Sequence, residues 1–226
     1  GGRLIIPSFA IGRVEEVLYW IRRLEIEKRI PTLPVYVDSP MAAGALQFYR
    51  NRLSELDGDL HAANERDLCT FCTGRMVTIA SPQESKELVA SRTPAIVIAS
   101  SGMATGGRVL HHLEAALPDP RNTVLFVGFQ APGTRGRLLV DGARSVKLHG
   151  QIIPVAARVE RLDSMSAHAD AGEIMRWLSG FSRPPTMTYL VHGEPTAVDA
   201  LKARITRERG WPVHVAKYLE RVELQR

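Results

Sequence analysis

The sequence is short of several things, and each shortage narrows what the chain can be. Two cysteines in 226 residues, Cys69 and Cys72, cannot build a disulfide framework, so a reducing cytoplasm is the default setting. They stand three apart in CTFC, yet a structural zinc needs four ligands and no second cysteine pair is present. A thioredoxin-like redox role has no other support in the sequence, and the plain reading is two small, partly buried residues. Long apolar runs are missing too. None approaches the length of a membrane span, and no signal-peptide pattern opens the chain. The seven histidines (His61, His111, His112, His149, His168, His192 and His214) include no HxH or HExxH arrangement, so no complete metal site is encoded. There is no internal repeat and no low-complexity linker. The opening GGRLIIPSFA lacks a methionine and enters a strand almost at once, which reads as an excerpt of something longer.

What is present is ordinary soluble-protein material. Hydrophobic residues make up 45% and charged residues 23%, enough for one large or two small packed domains. A net charge of +5 and a pI near 9.5 give a mild basic excess. That excess permits a polyanion such as RNA as substrate without requiring one.

Short β-rich runs alternate with helical patterns along most of the chain. RLIIPS, PVYVD, MVTIAS, AIVIAS and NTVLFVG read as buried strands. Between them lie apolar helical stripes such as Val14, Val17, Leu18, Ile21 and Leu24. This alternation predicts an α/β fold, a mainly parallel sheet with helices on both faces, running to about residue 142. SVKLHGQIIPVAARVERL then reads as a hairpin or meander. Asp170 and Glu173 have capping-box spacing, and Ile174, Trp177, Leu178 and Phe181 form the buried face of the helix they open. MTYLV leads to His192, Pro195 suits the first position of another helix, and WPVHVA and RVELQR read as closing strands.

In open α/β sheets, ligands gather beyond the carboxyl ends of the strands. Those positions here are Pro7–Ser8, Asp38–Ser39, Ser100–Ser101–Gly102, Gly128–Phe129–Gln130 and His192–Gly193–Glu194. In IASSGMATGGRVL a strand feeds a three-glycine loop and then a helix. The free N–H groups of its first turn, with Arg108, would suit a phosphate; a tight turn needing glycine for steric reasons explains the segment equally well. GFQAPGTRGRLL places Arg135 and Arg137 on a glycine-flanked loop, where each fits a phosphate or simply solvent. His168, among small residues in SMSAHADAGEIM, has room to meet something other than protein. By local chemistry alone, His168 and His192 read more readily as satisfied structural residues than as functional ones.

Taken in order, IPSFAIGR, VYVDSPMA, IASSGMATGGR, GFQAPGTRGRLL, SMSAHAD and LVHGE resemble the bacterial β-CASP ribonucleases. These belong to the metallo-β-lactamase superfamily, with ribonuclease J, the pre-mRNA 3′-end cleavage endonuclease and archaeal cleavage-factor homologues among their relatives. The resemblance implies a β-CASP cap over residues 1–160 and, over 161–226, the carboxy-terminal portion of a metallo-β-lactamase αββα core. It makes His192 a zinc ligand and His168 the catalytic histidine that acts as general acid or steadies the scissile phosphate. It gives Ser100, Ser101, Gly102, Arg108, Arg135, Arg137 and Ser166 to RNA binding.

The same resemblance implies two zinc ions in the full-length enzyme, held largely by an HxHxDH region upstream. This chain alone is therefore expected to hold no zinc and to show no nuclease activity. Its expected partners are RNA, the missing amino-terminal metallo-β-lactamase segment or a second copy in a homodimer, and no membrane. The alternative is a catalytically silent β-CASP subunit that binds RNA or a partner nuclease.

Overall fold

The computed structural model describes residues 1–56, 69–165 and 168–223. It divides into two compact units, 1–166 and 167–226.

In the first unit the five apolar runs form strands β1 (Leu4–Pro7), β2 (Val35–Asp38), β3 (Met76–Thr78), β4 (Ile96–Ala99) and β5 (Thr123–Phe126). With β8 (Arg158–Arg161) they make a six-stranded sheet in the order β3-β2-β4-β1-β5-β8, every pairing parallel. Side chains alternate between faces along each strand, and each face has its own core. Ile6, Val35, Val37, Ile96 and Ile98 pack with helices α1 (Arg13–Ile26) and α2 (Pro40–Arg50), through Val14, Val17, Leu18, Ile21, Ala42 and Leu46. Ile5, Val97, Ala99, Val124 and Phe126 pack with α3 (Pro82–Ala90), α4 (Val109–Ala116) and α5 (Arg135–Val140). The expected parallel α/β architecture with helices on both faces is what forms.

Three details differ from the sequence expectation. MVTIAS is buried only in part, since β3 is the sheet's edge and Val77 is 48% exposed, while Ile79 just after it enters the core. SVKLHGQIIPVAARVERL forms the expected hairpin, but only over its first part. β6 (Ser145–Leu148) and β7 (Gln151–Pro154) make an antiparallel hairpin, and β8 then leaves it to pair in parallel with the open edge of β5. Cys69 and Cys72 are joined in a disulfide rather than lying unlinked. One turn, in which the Cys72 N–H donates to Cys69 O, brings their Cα atoms to 5.4 Å, within bridging range.

The second unit holds α6 (Ala171–Leu178), β9 (Thr188–Leu190), α7 (Pro195–Arg209) and β10 (Val213–Val215). β9 and β10 pair in parallel with α7 as the crossover, around Met175, Leu178, Ile205 and Trp211. The Asp170–Glu173 capping box forms, and Pro195 opens α7, as expected. The buried stripe of α6, however, runs through Met175 and Leu178. Trp177 is 69% exposed and packs edge-on against Phe181, itself about half exposed. WPVHVA supplies β10, whereas Arg221–Glu223 of RVELQR forms no strand and the last three residues lie outside the described ones. Among the described residues, no helix is long and apolar enough to cross a membrane.

Candidate functional site

Four neighbouring parallel strands, β2, β4, β1 and β5, end in polar or glycine-rich loops, and side chains tie these loops together. Ser100 Oγ donates to Ser39 Oγ at 3.1 Å, and Ser39 in turn caps α2 by accepting from the Ala42 N–H. Gln130 is buried after β5, and its amide donates to Gly102 O and Gly128 O at 3.1 and 3.2 Å. Glycine is required at two places here. A Cβ on Gly107, which sits at φ +78°, would meet Ser100 O at 2.5 Å, and one on Gly136 would collide with the Gln130 amide. The loop ends are therefore packed closely against one another.

The tightest part of this region was not apparent in the sequence. Asp38, fully buried at the end of β2, accepts hydrogen bonds from Ser85 Oγ (2.6 Å), His112 Nε2 (2.6 Å) and Arg108 Nη1 (2.7 Å). Burial by itself would raise its pKa. The bonds from His112, Ser85 and Arg108 outweigh that, and the carboxyl is held below the usual aspartate range. In the sequence Asp38 stands out only as a strand end and His112 only as one of seven histidines. Nothing in local spacing predicts that residues 38, 85, 108 and 112 meet.

This geometry changes the role of the presumed phosphate cradle. The first amides of α4 are already used, Val109 N–H donating to Ser100 O and Leu110 N–H to Gly107 O. The amides of Thr105 and Gly106 donate to Ser101 Oγ. Ser101 thus organises the loop from within, and the glycine turn is self-satisfied rather than an open nest. Arg108 is committed to Asp38. Arg135 and Arg137 lie in helix α5, not on a loop, because Thr134 caps that helix by accepting from the Arg137 N–H. Arg135 donates from Nε to Lys147 O and from Nη1 to Thr105 O, and Arg137 pairs with Asp141 at 2.8 Å.

In the second unit, His168 lies exposed in a bend two residues before Asp170, the N-cap of α6. His192 is exposed two residues beyond β9 with a left-handed backbone, φ +62°. Gly193 then passes close to α7, where a Cβ would stand 2.5 Å from Val198 Cγ2. Neither histidine belongs to a three-ligand metal cluster among the described residues. Ser166 lies outside those residues.

Comparison with known proteins places this arrangement. The Beta-Casp domain matches residues 14–139, more than half of the chain. The chain belongs to the Beta-Casp family. A second match, the Zn-dependent metallo-hydrolase RNA specificity domain, covers residues 152–216. Relatives of this Beta-Casp chain include a protein named Ribonuclease TTHA0252 from Thermus thermophilus. It is 35% identical over 98% of the chain and 50% of its own length. The Transcription termination factor FttA of Pyrococcus abyssi is 31% identical over 100% of the chain and 35% of its own length. An RNase J-like protein of Methanocaldococcus jannaschii is 32% identical over 86% of the chain and 44% of its own length. The chain thus spans about half, or less, of the relatives it matches. The strand-end network of Asp38, Ser100–Gly102, Arg108 and His112 falls in the Beta-Casp match, and His168 and His192 fall in the second.

Proposed function

We propose that this chain is the cap and carboxy-terminal return of a zinc-dependent ribonuclease that hydrolyses RNA phosphodiester bonds. The observation that carries the reading is the likeness over almost the whole chain to a protein named a ribonuclease. It is supported by the two domain matches standing in this order along one chain. Residues 1–160 then make up most of the β-CASP cap, and 161–226 the carboxy-terminal part of the metallo-β-lactamase domain.

The chain does not make a zinc site at His192 by itself. Among the described residues His192 joins no three-ligand cluster, which is short of the roughly four donors a zinc takes. In this reading His192 completes a site whose other ligands come from elsewhere in the full-length protein. What the chain's own residues do is handle substrate. In this reading the part-exposed Ser100 and Ser101 face the RNA backbone from a loop whose Gly102 is buried, with Arg135, Arg137 and Ser166 adding phosphate contacts. Arg108 serves that loop through Asp38, fixing the start of α4. His168, exposed just ahead of α6, is assigned as the general acid for the leaving oxygen.

The test separates the two histidines in the full-length protein. His192→Ala should lower zinc content and nearly abolish RNA cleavage. His168→Ala should keep its zinc and lose about 100-fold in cleavage rate. Unchanged zinc stoichiometry in the first variant, or wild-type turnover in the second, removes that residue from the mechanism.

A further inference from the structure

On α4, His111 and Glu114 stand one turn apart, and the tip of the β6–β7 hairpin brings His149 beside them. One potential ligand atom from each of the three lies within 4.8 Å of the other two. His149 Nδ1 is 2.7 Å from Glu114 Oε2, and the two imidazoles stack with their centroids 4.4 Å apart. None of these residues is His168 or His192, and His149 lies between the two matched domain stretches.

The framework under this cluster is firm. Val146 and Leu148 of β6 are buried in the same core as Leu113 and Ala116 of α4. Arg135 pins the strand from the other side through Lys147 O at 2.8 Å. The hairpin turn is His149–Gly150, with φ +44° and +84°. Two successive left-handed residues are the hairpin geometry that favours Asn-Gly or Gly-Gly. A histidine at the first of them sits in a backbone state that asparagine or glycine would occupy with less strain.

We propose that His111, Glu114 and His149 form a binding site for a divalent transition-metal ion of the zinc class, which clamps the hairpin tip to α4. Two imidazole nitrogens and one carboxylate oxygen suit zinc and its first-row neighbours, whereas magnesium and calcium prefer oxygen donors alone. Three protein donors leave a position for water, as in open zinc sites. Ligand atoms on one tetrahedral zinc lie about 3.3 Å apart, given metal–ligand distances near 2.0–2.1 Å. The Glu114–His149 hydrogen bond would open slightly and His111 would swing in, movements within reach of side chains that are not buried. The helix supplies two ligands at i and i+3 on one face, and the turn supplies the third from a fixed backbone.

The experiment is zinc titration of the metal-stripped chain, followed by calorimetry and elemental analysis, with thermal melting to confirm that each variant folds. Wild type should take up close to one zinc per chain at micromolar concentration and melt at a higher temperature with zinc than without. His149→Gly keeps a residue that accepts the left-handed turn, so it should fold as well as wild type yet bind zinc about tenfold or more weaker. His111→Ala and Glu114→Gln should weaken binding similarly, and His192→Ala should leave it unchanged. Absence of zinc uptake by wild type overturns the proposal. So does uptake indifferent to His149→Gly and His111→Ala, or uptake lost only in His192→Ala.

Discussion

In the first unit β4 lies between β2 and β1 with all four of its residues buried, while in the second β9 has a single neighbour and none of its three residues is buried. The two segments look alike in sequence, AIVIAS against MTYLV, and differ in what surrounds them. β4 is covered on both faces by helices and paired on both edges. β9 relies on β10, α6 and α7, with a core of Met175, Leu178, Ile205 and Trp211. A two-stranded sheet has little stability of its own. Trp177, Val191, Tyr218 and Leu219 also leave apolar surface in water. The first unit therefore carries its own stability and a polar network at its strand ends, and the second is thinly supported around the segments that bear His168 and His192.

Striking at the best-supported point of the first unit should give the largest effect. Asp38→Asn removes the charge that Arg108 faces and disrupts the bonds from Ser85 and His112. Loss of one partner of a buried ion pair costs about 3–5 kcal/mol, and the low end applies because Arg108 keeps some contact with water. The pH dependence has a definite sign. A depressed Asp38 pKa contributes stability that is fully present above its unfolded value and is lost as pH falls through the folded one. Melting temperature followed from neutral pH into acid should show that loss in wild type and a flatter profile in Asp38→Asn. Equal profiles would mean that the network is not what holds these loops.

The second unit is probed by Ile205→Ala, which empties the centre of its small core. Such truncations cost about 2–5 kcal/mol, and a thin unit that can relax falls toward the lower figure. Hydrogen exchange should rise across 167–226 and hold steady across the strands of 1–166. A rise of equal size in β4 and β1 would break the contrast between the units.

The contrast also marks what the sequence could reveal. The five runs that became β1 to β5 were legible, because β-branched repeats bounded by turns report burial and period directly. The caps at Asp170 and Pro195 were legible for the same reason, being local. Features that depend on distant partners were not. Whether MVTIAS was central or edge depended on the sheet order, and the exposure of Trp177 depended on which side of α6 found a core. The commitment of Arg108 to Asp38 joins positions 70 apart along the chain. His111 and Glu114 have helical ligand spacing, but their third member is 35 residues beyond Glu114, at a turn whose backbone no motif encodes. His168 and His192 stood out only through their resemblance to a family, since one histidine in a loop carries no local signature of its use.

The smallest effect expected is a gain, and it tests whether the first unit is as well satisfied as it looks. Glu15, in the first turn of α1, is 4% exposed, and both of its carboxylate oxygens are buried without a hydrogen-bond partner. Burial pushes its pKa above the usual glutamate range, and the nearby backbone N–H groups of Glu15 and Gly12, short of full hydrogen-bond geometry, oppose only part of the rise. A carboxyl raised in the folded state takes up protons on folding. Its penalty is therefore absent below the unfolded pKa, grows as pH climbs from there to the folded value, and levels off above it. Glu15→Gln keeps the shape and removes the charge. At neutral pH the variant should melt slightly above wild type, and in acid, where Glu15 is protonated, the two should converge. A variant that melts lower at every pH would mean that the carboxylate has a partner in solution and that this end of α1 is better satisfied than its geometry indicates.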